Sequence, residues 1–144
     1  MQIDARESYP GATMKKTGIL NADIAAVVAS MGHLDTLTIA DAGLPIPDTV
    51  LRIDLVVRPN LPRFLDVTTA ILEELTVQEA ILAREIAAAS PEIYDELRAL
   101  LGETPIRLVA HSEFKQLTAH SKAVVRSGEF TPYANVILVA GVVF

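Results

Sequence analysis

The run Val136-Ile-Leu-Val-Ala-Gly-Val-Val143 carries no polar side chain and leads into Phe144. A strand of that composition has no face to offer water, so it belongs in a sheet covered on both sides, which limits the chain to layered folds. Immediately upstream, Arg126-Ser-Gly-Glu-Phe-Thr-Pro-Tyr133-Ala-Asn135 sets hydrogen-bonding side chains in a turn where core gives way to surface. An early segment, Ser30-Met-Gly-His33-Leu-Asp-Thr-Leu-Thr-Ile-Ala-Asp41-Ala-Gly-Leu-Pro-Ile-Pro47, has the same character. The two read as halves of a small polar pocket on an α/β scaffold.

The remaining periodicities supply the layers. Asn21 is placed to cap a helix whose Ile24, Val27, Val28 and Met31 fall at helical spacing, with Gly32 just past its end. Leu37 and Ile39 alternate with Thr36 and Thr38, giving a short strand that ends at Asp41 before the breakers Gly43, Pro45 and Pro47. A second strand is expected over about Arg52 to Val57, stopped by Pro59, and a helix over about Pro62 to Leu72. Leu75 to Ala88 fits either state; strand is favoured for Leu75 to Ala83. Ser90-Pro91-Glu92 opens a helix with a cap, a first-turn proline and an acid, and Ile93, Leu97, Leu100 and Leu101 give its stripe as far as Gly102. Strand Ile106 to Ala110, a short helix from Ser112 to His120, strand Ala123 to Arg126 and the strand from Val136 complete the series. Alternating strands and helices predict a layered α/β/α domain with a mixed, partly parallel central sheet. Residues 1–13 are poor in apolar side chains and carry Pro10-Gly11, so they are expected to be a flexible leader before a single domain at 14–144.

Composition removes several function classes. Twelve Lys and Arg against eighteen Asp and Glu give a net charge of −6, which opposes nucleic-acid binding. The longest apolar runs are about half of the ~20 residues a membrane-spanning helix needs, and the first 13 residues contain no signal-peptide core. A soluble cytoplasmic protein is expected. There is no cysteine, hence no disulfide, thiol nucleophile or thiolate metal site. A hydrophobic share of 51%, with a C-terminus of Val-Val-Phe, suggests apolar surface covered by further subunits. No Gly-rich phosphate loop, His-Glu-x-x-His, Gly-x-Ser-x-Gly or clustered metal ligands occur, so hydride transfer, nucleotide hydrolysis and metal-assisted hydrolysis lose support.

Several residues have the chemistry for a pocket, each with a plainer alternative. His33 follows a helix end, where the macrodipole favours an imidazolium that can donate a proton; otherwise it caps the helix. Asp41 closes an apolar strand where ligands bind in α/β sheets, or is simply a turn aspartate. His111 follows its own strand in the same way, or caps a helix, and Lys115 lies one turn further on, or on a solvated face. His120 reads as structural or exposed. Tyr133 and Asn135, two apart, share a face if the segment is extended, and a phenol with an amide suits a neutral polyhydroxylated ligand; the alternative is a Pro-Tyr turn and a strand-edge Asn.

Taken in order, Leu20-Asn-Ala-Asp-Ile24, Met31-Gly-His33-Leu-Asp-Thr-Leu37, Asp41-Ala-Gly-Leu-Pro-Ile-Pro47, Arg52-Ile-Asp54-Leu55, His111-Ser-Glu-Phe-Lys115 and Arg126-Ser-Gly-Glu129 with Pro132-Tyr-Ala-Asn135-Val-Ile-Leu-Val-Ala-Gly141 resemble the ribose pyranase and fucose mutarotase family. The resemblance runs from Met14 to Phe144. Asp41-Ala-Gly-Leu-Pro45 and Tyr133-Ala-Asn135 are similar to the ribose branch. It implies that His33 is the proton donor, that Asp41 and His111 contact the sugar, and that Tyr133, Ala134 and Asn135 line the site. It further implies a cofactor-free cytoplasmic isomerase interconverting β-D-ribopyranose and β-D-ribofuranose, built as two stacked pentameric rings, a decamer, with pockets at subunit contacts. A mutarotase of L-fucose or another monosaccharide, and a non-catalytic sugar-binding protein of a transport system, are the alternatives. Ring interconversion asks for little: a base takes the anomeric hydroxyl proton while an acid protonates the ring oxygen, and each positioned group gives ~10² to 10⁴-fold. His111, Asp41 or a bound water are all candidates for the base.

Overall fold

The structure, a computed structural model, describes residues 14–144, so the expected leader at 1–13 lies outside the described residues. Asn21 opens the first helix, α1 (Ala22–Ser30), its Oδ1 accepting the Ile24 N–H at 2.9 Å, and Ile24 and Val27 turn one face inward. Strands β1 (Thr36–Ala40) and β2 (Leu51–Asp54) follow, then helix α2 (Phe64–Leu72), strand β3 (Val77–Ala83), a single turn α3 (Ile86–Ala89) and helix α4 (Pro91–Leu101). Strand β4 (Ile106–Val109), helix α5 (His111–Leu117) with a 3₁₀ turn at Thr118–His120, strand β5 (Ala123–Arg126) and strand β6 (Val136–Ala140) complete the chain.

The ambiguous Leu75 to Ala88 stretch thus divides into β3 and the single turn α3. Two expectations change, a strand end and a helix cap. The second strand stops at Asp54 rather than Val57, because the Asp54 Oδ1 accepts the Val56 N–H at 3.0 Å and turns the chain out of the sheet. Ser90 does not cap α4 with its side chain: its Oγ instead donates to the Pro132 carbonyl at 2.6 Å, joining that helix to the turn before β6.

The six strands lie in the order β2-β5-β1-β6-β3-β4. All run parallel except β6, which is antiparallel to both of its neighbours, β1 and β3. Alternation along the strands divides the core in two. Leu37, Ile39, Leu82, Val125, Val136 and Leu138 face α1, α2 and α4, whereas Ala40, Ile81, Val124, Ile137 and Val139 face Leu44, Val50 and Phe114 of α5. The wholly apolar β6 is buried along its length, as its composition demands.

This topology has one decisive result for function. The carboxyl ends of β1, β2, β3, β4 and β5 and the amino end of β6 all reach the same edge of the sheet. The opposite edge carries the start of β1 and β3 and the residues after β6.

Candidate active site

At the carboxyl edge a cleft of about 480 Å³ is lined by Asp41 to Pro45 after β1, His111 after β4, Arg126 at the end of β5, and Glu129 to Tyr133 in the approach to β6. Its size suits a small ligand, and its place, beyond the carboxyl ends of strands, is where α/β sheets bind them.

Asp41 is fixed from two sides. Its Oδ1 accepts the Gly43 N–H at 2.9 Å, its Oδ2 accepts the Asn135 Nδ2–H at 3.0 Å, and its own N–H donates to Asn135 Oδ1 at 2.7 Å. Burial pushes the Asp41 carboxyl above the ordinary aspartate range, against the pull of the Gly43 N–H, the Asn135 amide, the Leu44 N–H and the nearby His111. A half-buried carboxylate made more basic in this way is suited to taking a proton from a ligand hydroxyl.

His111 is the first residue of α5, and its N–H donates to both oxygens of Glu85, at 3.1 and 3.0 Å, which ties the helix start to the end of β3. Its ring meets the Tyr133 ring edge-on, 5.0 Å between centroids and 86° between planes. The ring's Nδ1 is buried and has no hydrogen-bond partner. An orphaned buried N–H is costlier than an orphaned lone pair, so the tautomer with its proton on Nε2 leaves Nδ1 the cheaper orphan.

Tyr133 has φ 63°, in the left-handed region that a tyrosine adopts only when its surroundings impose it. The segment is therefore not extended, and the spacing of two does not put Tyr133 and Asn135 on one face. Tyr133 turns into the cleft beside His111, while Asn135 is wholly buried with both ends of its amide on Asp41. Ala134 is likewise buried in the core. Lys115 lies exposed on α5, outside the cleft lining, and His120 is exposed.

His33 stands apart. It precedes β1 while Asp41 follows it, and the four residue steps of that strand alone put about 13 Å between the two edges at roughly 3.3 Å per step. It does not cap α1: its Nε2 is 2.9 Å from Gln78 Oε1, and the ring is exposed. Exposed Leu34, Val142, Val143 and Phe144 belong to the same edge.

Sequence reasoning gave no role to Arg126 or to Glu129, Phe130 and Thr131. Arg126 Nε donates to the Ala42 carbonyl at 3.0 Å and its Nη1 pairs with Asp54 Oδ2 at 3.1 Å, so the guanidinium braces the Asp41 turn. The Val56 N–H and Arg126 together hold the Asp54 carboxyl below its usual range. The available signal was a charged residue at the carboxyl end of an apolar strand, the same one that marked Asp41. Among the described residues no helix is long and apolar enough to cross a membrane, and no group of three His, Asp or Glu residues is placed to hold a metal ion.

Known proteins share both sequence and shape with this chain. A D-ribose pyranase of Coprothermobacter proteolyticus is 55% identical over 131 residues, 91% of this chain and 100% of that protein. The D-ribose pyranase of Bacillus subtilis is 52% identical, again over 91% of this chain and all of its own length. The structure of Bacillus subtilis RbsD complexed with D-ribose superposes with a TM-score of 0.88, covering 91% of this chain and 100% of that one. The fucose mutarotase of Streptococcus pneumoniae in complex with L-fucose is more distant, at 25% identity and a TM-score of 0.71 over 86% of this chain and 94% of that one. The family model described as RbsD / FucU transport protein family matches residues 14–143, nearly all of the described chain, and the protein belongs to that family.

Proposed function

We propose that the protein is a D-ribose pyranase, interconverting β-D-ribopyranose and β-D-ribofuranose by acid/base ring opening and reclosure without a cofactor, in the cytoplasm. The observation that carries this reading is the convergence of Asp41, His111 and Tyr133 on one cleft whose ligand groups are a carboxylate, an imidazole and a phenol. Such groups donate to and accept from hydroxyls, which suits a neutral polyhydroxylated sugar. The ribose-bound relative at 52% identity, against 25% for the fucose-bound one, favours ribose over L-fucose.

In this reading Asp41 takes the anomeric hydroxyl proton, the carbon–oxygen bond to the ring oxygen breaks, and an acid delivers a proton to that oxygen. The open aldehyde is then attacked by a different hydroxyl, with the proton transfers reversed. His111 Nε2 and the Tyr133 hydroxyl hold the sugar, and Asn135 acts through Asp41. His33 is the acid, delivered by a neighbouring subunit, since one chain keeps it at the far edge of the sheet. Apolar side chains support such a contact on both sides: Leu34, Val142, Val143 and Phe144 beside His33, and Val57, Leu61 and Phe130 at the cleft edge are all exposed. Two different patches that meet head to tail generate a ring when the rotation between subunits closes, as stacked pentamers forming a decamer would require.

Saturation-transfer NMR at the anomeric protons tests the function. Irradiating a ribopyranose signal should attenuate the ribofuranose signals faster with the protein than without it, and L-fucose should respond less. Ribose binding without accelerated exchange would instead establish a sugar-binding protein, and faster exchange for L-fucose than for ribose would reassign the substrate.

A further inference from the structure

One buried ionised group has no part in the mechanism above. Glu129 is 1% exposed, yet its side chain and backbone bond to the start of α2, the turn before β6 and the turn after β1. Its Oε1 accepts the Arg63 Nε–H at 3.1 Å and the Phe64 N–H, the first of α2, also at 3.1 Å. Its Oε2 accepts the Thr131 hydroxyl at 2.6 Å and pairs with Arg63 Nη2 at 3.0 Å. Its carbonyl accepts the Ala42 N–H at 2.8 Å, one residue from Asp41. On either side of it, the Asn60 N–H donates to the Gly128 carbonyl at 2.7 Å and the Phe130 N–H to Asn60 Oδ1 at 3.0 Å.

We infer that Glu129 is the positioning residue of this site: its buried carboxylate ties the turn before β6 to the start of α2, its carbonyl holds the Asp41 turn against that anchor, and together they set the distance between the proton-taking carboxylate and the sugar-holding phenol. The inference rests on the proposed function for its catalytic consequence, but not for its structural one. Four donors from three directions satisfy the carboxylate, which is what a group needs if it is to stay charged inside the protein. Burial opposes the ionised form of Glu129, yet the Thr131 hydroxyl, the Phe64 N–H and Arg63 outweigh it and hold its carboxyl below the usual range. A short polar turn with a tyrosine at positive φ has no regular secondary structure to hold it, so its geometry depends on such an anchor.

The test compares Glu129→Gln, Thr131→Val and Arg63→Gln in the full chain. Glutamine keeps the size but presents an amide N–H₂ where Thr131 or Arg63 now donates, so one of them loses its acceptor. Hydrogen–deuterium exchange by mass spectrometry should show faster exchange in segments 41–45 and 129–135 of Glu129→Gln, with the strands unchanged. Ring exchange of ribose should fall by roughly 10²-fold in kcat, the effect of displacing a catalytic group by about 1 Å, and Thr131→Val should fall in the same direction by less. A Leu97→Ala control lowers stability from a buried position on α4 outside the cleft lining, and should leave kcat at the wild-type value in the folded protein. Should Glu129→Gln fail to fold, Thr131→Val, which removes one donor, and Arg63→Gln, which removes the two guanidinium donors, carry the test. A kcat within a factor of two of wild type together with unchanged deuterium uptake in the two turns overturns the inference. If the wild-type protein itself leaves ring exchange unaccelerated, the proposed function fails, and the deuterium pattern still decides whether Glu129 fixes the turns.

Discussion

Asn135→Asp replaces one atom and should convert the anchor of Asp41 into its antagonist. The Asn135 Nδ2 that now donates to Asp41 Oδ2 lies 3.0 Å from it. A carboxylate oxygen in its place would set two negative charges about 3 Å apart, a repulsion of roughly 5 kcal/mol at an effective dielectric constant near 20. The pair avoids this by sharing a proton, so its folded-state pKa rises well above the ~3.9 of an unfolded aspartate. A group whose folded pKa is raised is best tolerated at low pH, and its contribution is lost as pH rises towards the folded value. Relative to wild type, the variant should therefore lose about 1.4 kcal/mol per pH unit above pH 4, reaching about 4 kcal/mol by pH 7 if the proton is held that far. Urea midpoints of both proteins at pH 5 and pH 8 measure this directly. Ring exchange should fall at least 10-fold at pH 7, because a shared proton weakens Asp41 as a base. Equal stability deficits at both pH values, with exchange at the wild-type rate, would show that Asn135 does not control the charge on Asp41.

Four further outcomes are expected. Mixing His33→Gln chains with Asp41→Asn chains, each inactive alone, should restore a fraction of the ring exchange after subunits are reassociated; silence of the mixture in an intact oligomer would place both residues' action within one chain. Tyr133→Phe keeps the ring against His111 and removes the hydroxyl, so KM for ribose should rise by roughly 2- to 10-fold, the worth of one neutral hydrogen bond, with kcat little changed. Gly128→Ala would bring a Cβ to 2.6 Å from the Leu61 carbonyl carbon and 2.7 Å from its nitrogen, backbone atoms that cannot swing aside, and should lower stability by about 3 kcal/mol in urea unfolding. Since burial raises the Asp41 carboxyl, kcat/KM should fall as pH drops through a value above the ordinary 3.8, and a profile flat from pH 4 to 7 would remove Asp41 as the base.

The architecture was largely legible because apolar spacing is a local property. The uninterrupted run in β6, the Asn21 cap and the stripe of α4 each announce their elements within a few residues. The helix from Pro91 to Leu101 stands where expected, but its cap was misread because Ser90 turned from its own helix to Pro132, a choice that depends on a residue 42 positions away. The site was legible in its members but not in their arrangement. Asp41, His111 and Tyr133 do share a cleft, yet nothing local shows that Asn135 faces Asp41 rather than the opening, since that depends on the left-handed backbone at Tyr133. His33 and Asp41 look adjacent along the chain, and only the strand between them sends them to opposite edges. Glu129 reads as an ordinary acidic turn residue until its donors from α2 are seen, 66 and 65 positions earlier.

The position of β6 also bears on how the molecule is made. It is the last strand in chain order but sits between β1 and β3, so β2-β5-β1 and β3-β4 have no common hydrogen-bonded border until it arrives. A chain emerging from the ribosome can form α1 and pair β3 with β4, but it must hold two half-sheets with bare apolar edges until β6 has emerged. Those edges are open to pairing with other nascent chains in the meantime. The protein's yield in a cell should consequently depend on how quickly β6 follows the earlier strands out of the ribosome, and on chaperones that shield unpaired strands until then.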